Sequence, residues 1–174
     1  MGEMREVIEA PLSSEELAAR YRALCEDPRF ENLPGKIELD SWGRILMSPA
    51  SNYHGVLQVR LSHALAVLGG QALVEASVLT GVGLLVADVA WGSTEFMRVH
   101  GSETPFTRAP ELCIEIASPS NSVKELREKV DGYLGAGAVE AWIAYPQTKR
   151  FEFFTKSGQA RASSYAVELS GLFG

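Results

Sequence analysis

The sequence contains little cysteine. Of its 174 residues only Cys25 and Cys113 are cysteines, and no Cys-x-x-Cys pair occurs. Cys113 lies in an apolar run typical of a protein core, so the two cysteines provide no disulfide framework. A structural zinc site of the usual kind is not expected either. These features favour a reducing, cytoplasmic location.

A long hydrophobic run is also missing. The most apolar stretch, residues 82–91, is too short to cross a bilayer and contains Asp88. The first residues are acidic and lack the apolar segment of a secretory signal. We therefore expect a protein with no membrane partner, in which residues 1–12 form a flexible N-terminal segment.

Basic residues are outnumbered. Lys and Arg together number 16 against 22 Asp and Glu, and the formal net charge is −6. Non-specific binding to nucleic acids depends on Lys and Arg neutralising phosphates. A protein of this balance that acts on nucleic acid needs a local basic patch or bridging metal ions.

The amino acids that are present fit one globular domain over residues 1–174. Hydrophobic residues make up 46% and charged residues 22%, which are ordinary globular values. Ser13 and Glu16 form a capping-box pattern that begins a helix. Capping and periodicity predict helices at 14–25, 54–68 and 123–134, and strands at 36–40, 44–48, 72–79, 83–91, 111–117, 141–145 and 150–155, with one more near 165–169.

The predicted strands 83–91 and 111–117 are continuous apolar runs, which suits strands that are buried on both faces. The order of elements then predicts an α/β fold. A mixed central sheet is flanked by helices, and an N-terminal helix and a β-hairpin precede it.

Each of these two apolar strands carries one acid, Asp88 or Glu115. A buried carboxylate is costly unless it is paired, hydrogen-bonded or bound to a metal. Two of them in adjacent strands would repel each other unless a cation lies between them. A hard divalent cation resolves this conflict. The alternative is that each acid lies at a strand end, in solvent or bonded to backbone amides.

Four other residues have a structural and a functional interpretation. Lys129, with Lys124 and Arg127, belongs either to a solvated helix face with ion pairs or to the local basic patch. His54 either bonds to the loop before its helix or lines a site.

Five stretches resemble a restriction-endonuclease family of bacterial proteins in the PD-(D/E)XK nuclease superfamily. They are GKIELDSWGRILMSPAS, NYHGVLQVRLSHAL, VADVAW, APELCIEIASPSNSVKELREKVDGYLGAGAVEAWIAYP and FEFFT, which together cover roughly residues 33–155. The fourth is the most specific, because it joins an acidic strand, a Ser-Pro-Ser loop and a helix with Lys129 and Tyr133.

The resemblance implies a restriction-endonuclease-like fold and a Mg²⁺-dependent endonuclease, with Mn²⁺ as a substitute. It implies that Asp88 and Glu115 bind the metal and that Glu38 adds a metal or water contact. Ala117 stands where the superfamily motif has its lysine, so Lys129 of the following helix takes that role. His54 matches a histidine at the start of the long helix, for which lining the site is the functional interpretation.

Two positions depart from the family pattern. Ala87 replaces the proline before the Asp, and Tyr145 stands where an acid is common. By analogy, the expected partners are nucleic acid, with DNA favoured over RNA, and a second copy of the chain in a homodimer. The rival hypothesis is a catalytically silent nuclease-fold module that binds or regulates, and a third is a nuclease acting on RNA or non-duplex substrates.

Overall fold

The computed structural model describes residues 10–32 and 35–174, which form a mixed α/β structure around one eight-stranded sheet. In chain order the elements are α1 (Ser14–Glu26), β1 (Lys36–Asp40), β2 (Ile45–Ser48), α2 (Asn52–Leu65), β3 (Gln71–Thr80), β4 (Gly83–Gly92), α3 (Thr94–His100), β5 (Leu112–Ile116), α4 (Val123–Gly135), β6 (Glu140–Tyr145), β7 (Arg150–Thr155) and β8 (Gly158–Ala160).

Strand β4 is the centre of the sheet. One of its edges pairs with β3 along most of its length. The other edge pairs first with β1, at Gly83 and Leu84, and then with β5, from Val89 to Trp91. The sheet continues from β5 through the parallel β6 to β7 and β8. Two strands therefore share one edge of β4, and between them lies a gap at residues 85–88 that we call the fork.

Helices cover both faces of the sheet, as the uninterrupted burial of β4 requires. On one face α3 and α4 pack against the sheet, with Phe96, Leu126, Val130 and Tyr133 in the core. On the other face the apolar side of α2 and the C-terminal Phe173 pack against a second group of sheet residues. Helix α1 packs against the hairpin end of β4 through Leu17.

Local sequence signals explain where the main helices begin. Helices α1 and α4 both start with a capping box, formed by Ser13 with Glu16 and by Ser122 with Glu125. Where β1 meets β4, Gly83 has φ of 130°, and a Cβ atom there would lie 2.3 Å from the carbonyl oxygen of Leu39. Only glycine allows this close approach of two backbones.

The predicted hairpin, the three predicted helices and the seven strands before residue 156 are confirmed within one or two residues at most ends. The strand expected near residues 165–169 is wrong, since those residues are irregular and the last strand is β8 instead. Helix α3 was not predicted. Of the expected flexible segment, residues 1–9 lie outside the described residues, whereas Leu12 donates a backbone hydrogen bond to Ser41.

None of the helices in residues 10–32 and 35–174 combines the length and the apolar character needed to cross a membrane.

Candidate active site

The candidate site lies in the fork, because side chains there replace the missing strand partners. The β4–β5 register, in which Val89 faces Ile114, brings Asp88 next to Glu115 at the end of the ladder. Asp88 Oδ2 accepts a hydrogen bond from the Ile116 amide at 2.7 Å. Glu38 Oε1 of β1 accepts one from the Val86 amide at 2.8 Å. The fork thus gathers three carboxylates from three strands.

The three carboxylates share one cationic atom, the Nζ of Lys36. It lies 2.9 Å from Asp88 Oδ1, 3.3 Å from Glu115 Oε2 and 3.8 Å from Glu38 Oε1. Its fourth partner is the carbonyl oxygen of Val86, at 2.8 Å. All three acids are at most 3% exposed, so this ammonium compensates charges that water barely reaches.

Helix α4 supplies a second ammonium and a phenol. Lys129 Nζ lies 2.8 Å from Glu38 Oε2 and 3.4 Å from Glu115 Oε2. One turn later Tyr133 donates to Glu115 Oε1 at 2.6 Å. The two residues are four positions apart and therefore lie on the same face of the helix.

Helix α2 closes the other side of the site. His54 Nε2 lies 3.2 Å from Asp88 Oδ1. The Gln58 side-chain amide donates to the Asp88 carbonyl oxygen at 3.1 Å and to Glu75 Oε1 at 2.9 Å. Glu75 faces Asp88 across the β3–β4 pair and has φ of 55°, a left-handed conformation that is strained for a non-glycine residue.

These contacts move the pKa values of the acids in opposite directions. Burial alone would raise the pKa of Asp88, but His54 and Lys36 outweigh it and bring the value to about 2. For Glu115, burial dominates and the pKa is raised, against the attraction of Lys36 and Lys129. Of these two carboxyl groups, Glu115 therefore takes up a proton first as the pH falls.

The pKa values of the neighbouring donors move as well. Burial would lower the pKa of Lys36, but Glu115, Asp88 and Glu38 outweigh it and raise the value. The pKa of His54 is raised chiefly by its contact with Asp88. Burial raises the pKa of Tyr133 well above its usual value, so its hydroxyl remains a hydrogen-bond donor.

All four residues expected at the site, Asp88, Glu115, Glu38 and Lys129, together with the site-lining His54, lie within this one cluster. Backbone amides bind Asp88 and Glu38, so part of the structural alternative also holds. Lys124 is on the solvated face, 3.7 Å from Glu128. Arg127 turns to Glu152 of β7 instead, at 3.2 Å, and stacks on the ring of Phe154.

Sequence reasoning missed Lys36. The signal was present, because Lys36 stands two positions before Glu38 in a strand, and residues i and i+2 point to the same face. A lysine on the same face as a buried acid is a natural partner for it. Nothing in the sequence indicated that it would also reach Asp88 and Glu115.

The donor set suits a hard divalent cation, since carboxylate oxygens are the ligands that Mg²⁺ prefers. Three such groups point at a common cationic position. The cleft above them has a free volume of about 30 Å³, roughly that of one water molecule in the liquid. Yet across the described ranges no three or more His, Cys, Asp or Glu side chains are spaced to hold a metal as they stand. In this arrangement Lys36 and Lys129 pair with the acids.

Comparison with known families agrees with this geometry. The model of the Uma2 family, described as "Putative restriction endonuclease", matches residues 18–171. The chain belongs to the Uma2 family. The match covers α1 from Ala18 onward, the hairpin and every strand of the sheet, and so includes all the residues of the fork.

The Uma2 chain is also similar to a solved structure. This is the crystal structure of "a putative nuclease belonging to DUF820" from Anabaena variabilis, with 20% sequence identity and a TM-score of 0.60. The similarity covers 86% of this chain and 96% of the other. At this identity the likeness establishes the fold, which is that of a restriction-endonuclease-like protein. No curated protein matches the chain.

Proposed function

We propose that this Uma2 protein is a metal-dependent endonuclease that hydrolyses phosphodiester bonds in nucleic acid, with DNA as the expected substrate. One observation carries the proposal. Three buried carboxylates from three strands converge on a single cationic position at the base of an open cleft. Buried acids that converge beside a cleft are typical of functional sites, where their charge serves chemistry.

In this proposal Asp88 and Glu115 hold a Mg²⁺ ion, for which Mn²⁺ can substitute, and Glu38 adds a further oxygen. The bound ion supplies an activated water and neutralises charge on the phosphate. Ile116 N and His54 fix the Asp88 carboxylate, and Tyr133 fixes that of Glu115. Lys129, 17% exposed, reaches into the cleft from α4 and assists the nucleophile or stabilises the phosphate anion.

Lys36 has a distinct place in this scheme. Its ammonium occupies the position that the three carboxylates favour for a cation. A divalent ion and Lys36 therefore compete for the same oxygens. The ion carries twice the charge and attracts those oxygens more strongly at equal distance, so we expect it to displace the ammonium toward solvent.

The test is cleavage of plasmid DNA, single-stranded DNA and RNA with Mg²⁺, Mn²⁺ or EDTA. We expect Asp88→Asn and Glu115→Gln to lower the rate by at least about 100-fold, as removal of a group that stabilises the transition state does. Calorimetric titration of Mn²⁺ into the same variants should lose the binding signal of the wild type.

Glu95→Gln is the matched control, because Glu95 is an exposed acid on α3 whose partner is the equally exposed Arg98. It should cleave as the wild type does. If Asp88→Asn and Glu115→Gln cleave at the same rate as the wild type, these two acids take no part in catalysis.

The second candidate is a silent nuclease-fold module that binds or regulates without turnover. Its support is the pairing of the three carboxylates with Lys36 and Lys129, which compensates two of the three negative charges without a metal. Absence of both metal binding and cleavage in the wild type would favour this module. The homodimer remains an expectation by analogy.

A further inference from the structure

A second depression opens directly beside the acid cleft. It is a groove of about 510 Å³ between the start of α2 and the loops that follow β5 and β6. Pro49, His54, Ile116 and Ser118 line both the groove and the acid cleft. A ligand with a phosphate at the acids can therefore extend its next chemical group into this groove.

The walls of the groove are mainly apolar, with His54 at the side that is shared with the acid cleft. The lining of the groove includes Tyr53, Leu57, Pro119 and Pro146. Within the described ranges no Asp, Glu, Lys or Arg lines it. Such walls do not suit a phosphate, which seeks cations or backbone amides. They suit a flat heterocycle, and the volume is in the range of about 300–1,000 Å³ typical of small-molecule sites.

The ring of Tyr53 can stack on a flat heterocycle in the groove. Its hydroxyl donates to the carbonyl oxygen of Phe173 at 2.8 Å, and the residue is 44% exposed. Proteins that bind single strands use aromatic rings of this kind as stacking platforms for bases. Ser51, Ser120 and Gln147 at the rim offer hydrogen-bond partners for the edge of a base.

We propose that this groove receives one nucleobase of the substrate, unstacked from its neighbours, while the adjoining phosphate lies at the acids. The inference rests on the proposed nuclease function and narrows it. A base inside a regular duplex cannot enter the groove without being flipped out, which costs a few kcal/mol. The preferred substrate is accordingly a single strand, a loop or a frayed end.

The low positive charge of the chain also favours a single-stranded substrate over a duplex. Duplex binders rely on many phosphate contacts by Lys and Arg, and here the two lysines of the cleft are already paired with carboxylates. Base stacking in an apolar groove supplies affinity that does not depend on net charge.

The test measures binding without cleavage, by fluorescence anisotropy of a labelled thymidine single strand in EDTA or with Ca²⁺ in place of Mg²⁺. We expect Tyr53→Leu, which removes the ring, and Ser120→Trp, which fills the groove, to weaken binding roughly 5- to 100-fold. Thymidine 3′,5′-bisphosphate should compete with the strand better than the same sugar bisphosphate without a base.

Each variant has a matched control. Tyr53→Phe keeps the ring and removes only the hydroxyl bond to Phe173, so it should bind the strand more tightly than Tyr53→Leu does. Ser157→Trp places the same indole on an exposed turn at the far end of β7 from Pro146, and it should leave affinity unchanged. Cleavage of single strands should fall with Tyr53→Leu and Ser120→Trp in parallel with binding.

The outcomes separate the groove from the nuclease function. If Tyr53→Leu and Ser120→Trp leave metal-dependent cleavage intact, the groove does not bind a base of the substrate. The proposed nuclease function would be unaffected by that result. Base-dependent binding without any cleavage would support base binding in the groove and contradict the proposed nuclease function. A Ser120→Trp variant that changes only the association state would assign the groove to a second copy of the chain and overturn the inference.

Discussion

At the scale of single residues, Lys36 governs the balance of the site. It carries one of two ammonium groups that face three buried carboxylates, and its own side chain is 9% exposed. Removing one partner of a buried ion pair is strongly destabilising, because the remaining charges lose their compensation. The effect of its loss should therefore depend on whether another cation can take its place.

We predict that Lys36→Met lowers the free energy of unfolding by about 3–5 kcal/mol in EDTA. Millimolar Mg²⁺ or Mn²⁺ should restore part of this loss, because a bound ion compensates the same acids and stabilises only the folded state. Urea denaturation with and without metal measures both effects.

Lys124→Met is the matched control, since the Lys124 side chain is 85% exposed and its loss should change stability by less than about 0.5 kcal/mol. A Lys36→Met protein as stable as the wild type in EDTA would show that the ammonium is not needed to balance the carboxylates.

Residue-level prediction from sequence reached part of this site. Asp88 and Glu115 stood out because an acid in an apolar strand is unusual, and both do lie in the fork. Lys36 and Gln58 did not stand out, because lysine and glutamine in amphipathic segments are ordinary. Their contacts depend on how β1 leaves β4 and on how α2 crosses the sheet, and neither feature is encoded in local sequence.

At the scale of elements, one buried acid adds hydrogen bonds to the apolar packing that holds the C-terminal segment against the sheet. Glu140, at the start of β6, accepts hydrogen bonds from Trp142 Nε1 at 2.7 Å, from Ser163 Oγ at 2.6 Å and from the Ser164 amide at 2.7 Å. These bonds explain why the predicted strand near residue 165 does not form. The backbone there turns toward Glu140 instead of pairing with a strand.

We predict that Glu140→Gln lowers the free energy of unfolding by about 1–3 kcal/mol. Glutamine replaces one carboxylate oxygen, which accepts hydrogen bonds, with an NH2 group, which can only donate them. Limited proteolysis should cut the segment after residue 160 faster. Glu168→Gln is the control, since Glu168 is an exposed acid of the same segment that accepts from the nearby Ser170 amide. Faster cutting in both variants would contradict a special role for Glu140.

The effect of Glu140→Gln on stability should depend on pH. Burial would raise the pKa of Glu140, but the bonds from Ser163, Ser164 and Trp142 outweigh it and lower the value below 4.5. A lowered pKa stabilises the fold above the unfolded value and loses that contribution as the pH falls through the folded value. The difference between wild type and Glu140→Gln should thus be largest near neutral pH and shrink below about pH 4.5.

Elements with strong local signals were predicted best. The capping boxes of α1 and α4 and the apolar runs of β4 and β5 fix those elements largely by themselves. Helix α3 has only seven residues, too few for a clear periodicity. Strand β8, a three-residue run of Gly, Gln and Ala, carries no apolar pattern and forms because the turn after β7 folds it back.

At the scale of the whole molecule, the net charge of the chain and the charge of the acid cleft both limit how many phosphates the protein can neutralise. The chain carries a formal net charge of −6, and the two lysines of the acid cleft already have carboxylate partners. Few phosphates can be neutralised, so few counterions are released on binding.

We predict that the affinity for single-stranded DNA depends weakly on salt, with a slope of log K against log[salt] no steeper than about −2, equivalent to about three phosphates. Anisotropy titrations from low to physiological salt measure this slope. A slope of about −5 or steeper would reveal a basic track elsewhere on the molecule and weaken the argument for stacking in the groove.

The fork has one more consequence, for amide hydrogens. The N–H groups of Val86 and Ile116 are bonded to the carboxylates of Glu38 and Asp88 rather than to neighbouring strands. Their exchange with heavy water therefore depends on where those two side chains point, while amides deeper in β4 follow global unfolding. Two backbone protons thus act as built-in reporters of how the acids are arranged.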